Sequence, residues 1–229
     1  MALARRTFPV GLLGCNCTIL SCTETGQALV VDPGDEGPAI LAALARDGLT
    51  AVKIIHTHAH FDHVMATGEV AAATGAEILL HRDDRWLYDN AVMQTEMFGV
   101  SRPDGQPWQP PPPPTRELTT DETIGFGRRE GRTLHTPGHT PGSICFYLGE
   151  GDTGGAVPLL ISGDTLFRRS IGRTDLWGGS ARDIVRSIQH RLLSLPEGTI
   201  VVPGHGPETT IGEEREANPF VGRRAKFET

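Results

Sequence analysis

Residues 57–63 read Thr57-His58-Ala59-His60-Phe61-Asp62-His63, so three histidines and a carboxylate fall within six positions of a chain that has nine histidines in all. They follow the apolar run Ala51-Val52-Lys53-Ile54-Ile55, which reads as a buried strand. His58 and His60 are two apart, so on an extended segment their side chains leave from the same face. Asp62 and His63 then open Val64-Met65-Ala66-Thr67-Gly68-Glu69-Val70-Ala71-Ala72-Ala73, which reads as helix. A strand-to-helix turn of this kind can aim one pair of ligands at one ion and the next pair at another. Neutral imidazole beside carboxylate is the usual ligand set for zinc or iron. The plain alternative is a solvated polar loop, and the density of the cluster argues against it.

Three more candidates stand at the ends of short apolar runs. His139 lies in Thr136-Pro137-Gly138-His139-Thr140-Pro141-Gly142, Asp164 in Ser162-Gly163-Asp164, and His205 in Pro203-Gly204-His205-Gly206. Seven candidates exceed the four ligands a closed structural site needs, which favours catalysis over a metal-stabilised binding module. The elements that must position them alternate. Thr18–Cys22 and Gln27–Val31 read as a hairpin around Glu24-Thr25-Gly26. Pro38–Arg46 has helical apolar spacing and stops at Gly48. Strands are expected at Ala76–Leu80, Gly131–His135, Ser143–Leu148, Val157–Ile161 and Thr199–Val202, with helix over Asp83–Phe98, in one piece or two, and over Ala181–Leu193. The hairpins exclude a purely parallel doubly wound sheet. Residues 102–114, with Pro110 to Pro114 in succession, read as an extended polyproline II loop on the surface, with an interdomain linker as the alternative.

The 229 residues are expected to form one domain, 1–229. A net charge of −7 argues against a nucleic-acid partner, because phosphate binding wants a basic face. Arg5-Arg6 before Leu12-Leu13-Gly14-Cys15 imitates an export signal, but the apolar stretch is short and broken by Pro9 and Gly11. With no run of spanning length, no membrane partner is expected and the expected location is the cytoplasm. Cys15, Cys17, Cys22 and Cys145 lack zinc-ribbon or Cys-x-x-Cys spacing and read as small buried strand residues.

The four motifs at 57–63, 136–143, 162–167 and 203–206 together resemble the metallo-β-lactamase superfamily. The resemblance implies an α/β fold, an αββα four-layer sandwich of two mixed β-sheets with the site at one edge. Gly172-Arg173-Thr174-Asp175 and the ending from Pro203 to Glu214 with Asn218-Pro219-Phe220 are similar to short bacterial glyoxalase II-like hydrolases. Carried over by position, His58, His60 and His139 would hold one divalent metal ion, and Asp62, His63 and His205 a second. Asp164 would bridge them. Zinc is the first expectation, with iron and manganese open. The resemblance implies a hydroxide between the ions, with Asp62 and Asp164 as the catalytic carboxylates, and a small-molecule thioester of the glutathione type as substrate. In the β-lactam-hydrolysing branch cysteine is common at the bridging position, where this chain has Asp164. No counterpart is expected to the glutathione-gripping helical region of longer glyoxalase II enzymes; Arg215, Arg223, Arg224 and Lys226 do not map onto those contacts.

The alternative implied by the same motifs is a mononuclear iron persulfide dioxygenase. Those enzymes usually show Pro-Ala-His-Asp-Tyr where this chain has Pro203-Gly204-His205-Gly206-Pro207, which favours the hydrolase. Arg173 could anchor a substrate carboxylate or brace its loop against Asp175. Asp32 could form a turn or hydrogen-bond to a ligand histidine. His56 reads as buried support, His135 as a prop for the His139 turn, and His81 and His190 as surface or helix-cap residues.

Overall fold

The computed structural model describes residues 3–102, 104–119 and 121–225. Lys226 and Pro103 lie outside the described residues. The first sheet holds β1 (Leu3–Val10), β2 (Cys15–Cys22), β3 (Gln27–Val31), β4 (Thr50–Ile55), β5 (Glu77–His81) and β6 (Arg116–Leu118), in that spatial order. The pairs β1–β2 and β2–β3 are antiparallel, whereas β3, β4, β5 and β6 run parallel. The second sheet uses β7 (Thr123–Phe126), β8 (Arg129–His135), β9 (Ile144–Leu148) and β10 (Leu159–Gly163). A small hairpin of β11 (Leu166–Phe167) and β12 (Ser170–Ile171) follows, then β13 (Ile200–Pro203) and β14 (Thr209–Thr210). The order is β14-β13-β10-β9-β8-β7, parallel only between β10 and β13.

Alternation along the strands builds the layers. Leu20, Leu29, Val31 and Ile55 point between the sheets, where they meet Phe126, Ile144, Phe146, Leu148 and Ile161 of the second sheet. Their strand neighbours Ile19, Ala28, Val30 and Ile54 point the other way, onto Ile40 and Leu44 of helix α1 (Gly37–Arg46). Across the molecule Leu134, Cys145, Leu160 and Val201 pack against Ile184 and Val185 of the helix at Ala181–Ser187. Strands buried on both faces read as continuous apolar runs, as seen here. The result is the expected four-layer sandwich of two mixed sheets with helices outside.

Several boundaries differ from expectation. The helix after the metal motif is broken into α2 (Phe61–Val64) and α3 (Thr67–Thr74), because the Ala66 amide bonds the Pro33 carbonyl at 3.0 Å. Residues 82–98 form a 3₁₀ turn, then α4 (Arg85–Asp89) and α5 (Ala91–Met97). The helix α6 at Ala181–Ser187 continues as a π-helical segment, Ile188–Leu192. Strand β1 and the terminal helix α7 (Ile211–Ala217) were not expected from periodicity. Among its described residues the Pro-rich segment forms no regular element, and it is tied down where Tyr88 donates to the Pro112 carbonyl at 2.9 Å. All four cysteines are buried and free. Among the described residues, no helix is long and apolar enough to cross a membrane.

Candidate metal centre

The loops leaving β4, β8, β10 and β13 converge at one edge of the sandwich and bring all seven predicted residues together. His58, His60 and His139 offer nitrogens that could hold one ion, and Asp62, His63 and His205 form a second such group. Asp164 stands between them. Its Oδ2 lies 3.7 Å from His139 Nε2 and 3.8 Å from His205 Nε2, and its Oδ1 is 3.6 Å from His63 Nε2. His205 Nε2 is 3.1 Å from Asp62 Oδ2.

Backbone and side-chain oxygens hold the histidine rings. His139 donates from Nδ1 to the Arg173 carbonyl at 2.8 Å, and His205 from Nδ1 to the Leu13 carbonyl at 3.0 Å. His63 donates from Nδ1 to Asp32 Oδ2 at 3.0 Å. Thr57 donates its hydroxyl to Asp32 Oδ2 at 2.6 Å, so its oxygen accepts from His58 Nδ1 at 3.1 Å. Carbonyls and carboxylates only accept, so these four rings carry hydrogen on Nδ1 and, in the neutral form that binds a metal, turn an Nε2 lone pair inward. Those lone pairs face one another: His139 Nε2 is 3.2 Å from His58 Nε2 and 2.9 Å from His60 Nδ1, and His63 Nε2 is 3.2 Å from His205 Nε2. Acceptors at this range repel unless a cation lies between them. The buried Asp164 Oδ1 likewise has no hydrogen-bond donor among the described residues.

The electrostatics divide the site. Burial and the neighbouring imidazoles push His58 and His60 well below the ordinary histidine range, keeping them neutral. Burial also outweighs Asp164 at His139, which is lowered. At His63 burial is overcome by the carboxylates around it, and the value is raised well above ordinary. His205 is raised too, by Asp62 and Asp164 against burial. Asp62 is held well below the usual carboxylate range, because His63 and His205 outweigh its burial. The second group therefore sits in the more negative half and the first in an all-imidazole half.

The supporting residues are sorted by the same geometry. Asp32 turns the chain at φ 51° and accepts from His63, a candidate ligand. His56 is buried and its Nε2 lies 3.2 Å from the Thr67 hydroxyl, outside both groups. His135 Nε2 donates to the Pro141 carbonyl at 2.9 Å and props the His139 turn as expected. His190 is exposed. His81 is not on the surface: it is 1% exposed, stacks on His135 at 4.1 Å, and caps the 3₁₀ turn by accepting from the Asp83 amide. Arg173 forks onto Asp175 with two bonds of 2.8 Å, the brace arrangement. Near the end of the chain, Arg215 bonds the Leu193 and Leu195 carbonyls.

Asp84 was missed. Fully buried, it accepts from the Ala59 amide at 3.0 Å, the Thr140 hydroxyl at 2.8 Å and the Gly142 amide at 2.6 Å, tying the two histidine loops together. Burial pushes its carboxyl up to about 6, against those three bonds. Its setting, Arg82-Asp83-Asp84-Arg85, reads as a solvated charge run, so the sequence carries no signal for this role.

Comparison with known proteins gives the family. The family model of the metallo-beta-lactamase superfamily matches residues 10–205. The chain is 38% identical to the probable metallo-hydrolase YqgX of Bacillus subtilis, over 94% of this chain and 96% of that protein. It is 32% identical to the hydroxyacylglutathione hydrolase GloC of Haemophilus influenzae, over 95% and 98% of the two chains. Among solved structures, the BLEG-1 B3 metallo-beta-lactamase is 38% identical with a TM-score of 0.82, covering 95% of this chain and 99% of that one. A di-iron-bound form of TTHA1623 is 39% identical with a TM-score of 0.80, covering 94% and 99%.

Proposed function

Because this chain belongs to the metallo-beta-lactamase superfamily, we propose that it is a metal-dependent hydrolase that cleaves thioesters with two divalent ions bound. The observation that carries this reading is the set of inward-facing Nε2 atoms, their rings held at Nδ1 by oxygen acceptors, around a buried carboxylate oxygen without a donor. His58, His60 and His139 would hold one ion, Asp62, His63 and His205 the other, and Asp164 both. The di-iron form of TTHA1623 supports a two-ion site, and GloC supports a thioester as substrate. When bound, such ions lower the pKa of a coordinated water from ~15.7 toward ~7 and polarise a carbonyl. Zinc fits the donor set first, and iron also suits imidazole and carboxylate.

The chain's own part is to orient and to exclude. Asp62 and Asp164 line the cavity beside the histidines as the carboxylates that orient the attacking water. The water oxygen ends on the acyl carbon, the carbon–sulfur bond breaks, and the acid and the free thiol leave. Thiolate is a good leaving group, so no dedicated general acid is needed. Arg173 positions His139 through its carbonyl while its guanidinium stays on Asp175.

A complete second ligand group favours hydrolysis over the one-iron persulfide dioxygenase. A β-lactam is a second substrate class with an observation behind it, the likeness to BLEG-1, which weakens the sequence argument made from Asp164. The test is metal analysis of the purified protein, with thioester cleavage assayed in air and without oxygen and a chromogenic cephalosporin in parallel. Two ions per chain and equal thioester rates in both atmospheres are expected. Oxygen uptake with a persulfide, or faster turnover of the cephalosporin than of any thioester, defeats the reading.

A further inference from the structure

The cavity over the metal centre has a wall chemistry of its own. Its volume is about 290 Å³, room for about ten waters at ~30 Å³ each. Beyond the metal-centre residues it is lined by Leu13, Phe61, Phe98, Leu176, Gln94 and Arg173. Phe61 is buried as the floor, whereas Leu13 and Phe98 are 51% and 45% exposed. The next residues out along the chain are also large, apolar and open: Leu12 is 83% and Met97 64% exposed. Phe98 packs 5.7 Å from the Phe61 ring and 6.1 Å from Trp177, so the aromatic side of the wall is continuous. Apolar side chains left open around a cleft mark a surface meant to be covered.

The polar lining is largely engaged, Gln94 fully and Arg173 through two of its five N–H groups. Gln94 accepts from the Phe61 amide at 3.1 Å and donates to the Ala59 and Leu87 carbonyls at 3.1 and 2.8 Å. Arg173 is forked onto Asp175. The adjoining cleft, lined by Leu12, Leu13, Phe61, Met65 and Trp108, contributes Asp35, a charge of the wrong sign for a carboxylate ligand.

We propose that the acyl group of the substrate is apolar, an aliphatic or aromatic chain of medium length, and that the thiol carrier is not gripped through its charges. The inference rests on the thioester reading and adds the substrate class to it. Leu13 and Phe98 take up the acyl chain above Phe61, and selectivity comes from the water they expel. A fully buried methylene is worth roughly fourfold in kcat/KM.

The experiment is a chain-length series on the metal-loaded enzyme, acetyl to hexanoyl thioesters of the neutral thiol N-acetylcysteamine, with hexanoyl- and lactoylglutathione alongside. The hexanoyl compound should exceed acetyl by at least about thirtyfold, allowing for partial burial of its four extra methylenes. Hexanoylglutathione should fall within about threefold of its N-acetylcysteamine counterpart. In Leu13→Ala and Phe98→Ala, the hexanoyl-to-acetyl ratio should drop about tenfold; both side chains are exposed, and the Leu13 carbonyl that holds His205 is retained. A flat chain-length series, or a preference of tenfold or more for lactoylglutathione, overturns the inference while leaving the thioester reading in place. Failure to cleave any member overturns both.

Discussion

Asp32→Asn tests whether the histidines are pre-set by their hydrogen bonds. Asp32 accepts from the Thr57 amide at 2.7 Å on Oδ1, and from the Thr57 hydroxyl at 2.6 Å and His63 Nδ1 at 3.0 Å on Oδ2. In the asparagine the Oδ1 bond survives, but an NH₂ group now meets two donors. The Thr57 hydroxyl can turn and accept, which sends its hydrogen towards His58 Nδ1. Either His58 or His63 must then carry its hydrogen on Nε2, the atom that faces the gap. Backbone strain is not the cause, because asparagine tolerates the φ of 51° at this position. Losing such a partner lowers metal affinity about 10–100-fold, which corresponds to ~1.4–2.7 kcal/mol. The assay is stepwise metal titration of the apo protein against a competing chelator, with a thermal melt to confirm the fold. Thr57→Val serves as the partner variant, since it removes the His58 link and leaves His63 bonded to Asp32. Two ions bound to Asp32→Asn within twofold of native affinity would show that the hydrogen-bonded shell does not set the ligands.

Asp164→Ala removes the carboxylate between the two groups, and bound metal should fall below two ions per chain with hydrolysis down about 10³-fold or more; full metal content with near-native turnover places the bridge elsewhere. His205→Ala should empty the second group while His58, His60 and His139 keep their ion, so metal analysis should read close to one ion per chain and thioester turnover should collapse. Gly172→Ala puts a Cβ 1.8 Å from the Asp164 carbonyl oxygen, so stability should fall by about 1–3 kcal/mol with loss of metal; a variant that melts and binds as the native protein contradicts the packing. Asp84 supplies a pH signature: its folded value of about 6 lies above the unfolded ~3.9, so the native state binds the proton more tightly. Stability of the metal-free protein should therefore fall as pH rises from ~4 to ~6, by up to about 3 kcal/mol. Urea midpoints of native protein and Asp84→Asn that run parallel across that window rule this out.

The candidate ligand residues were legible in the sequence because their chemistry is local. A histidine, its strand end and its glycine turn are neighbours in the chain, and strand alternation identifies which residues face inward. His58, His60, Asp62 and His63 lie in one motif, and His139, Asp164 and His205 each close a strand. Periodicity gave individual strands and helices, whereas the layers were implied by the family resemblance. Strand β1 was not legible, because its residues are mostly half-buried or exposed and it owes its shape to pairing with β2 from Leu3↔Cys22 to Val10↔Cys15. The break at Ala66 depends on a carbonyl 33 residues earlier in the chain, at Pro33. Asp84 becomes an anchor only because the fold brings residues 25, 56 and 58 positions away to its two oxygens. His81 is buried with its ring stacked on His135, 54 positions further along the chain. The wall of the cavity is assembled from Leu13, Phe61, Phe98 and Leu176, which no local pattern connects. Residue type and short-range spacing determine what a side chain can do; which groups stand opposite it is decided by the path of the chain through both sheets, and that requires the packed structure.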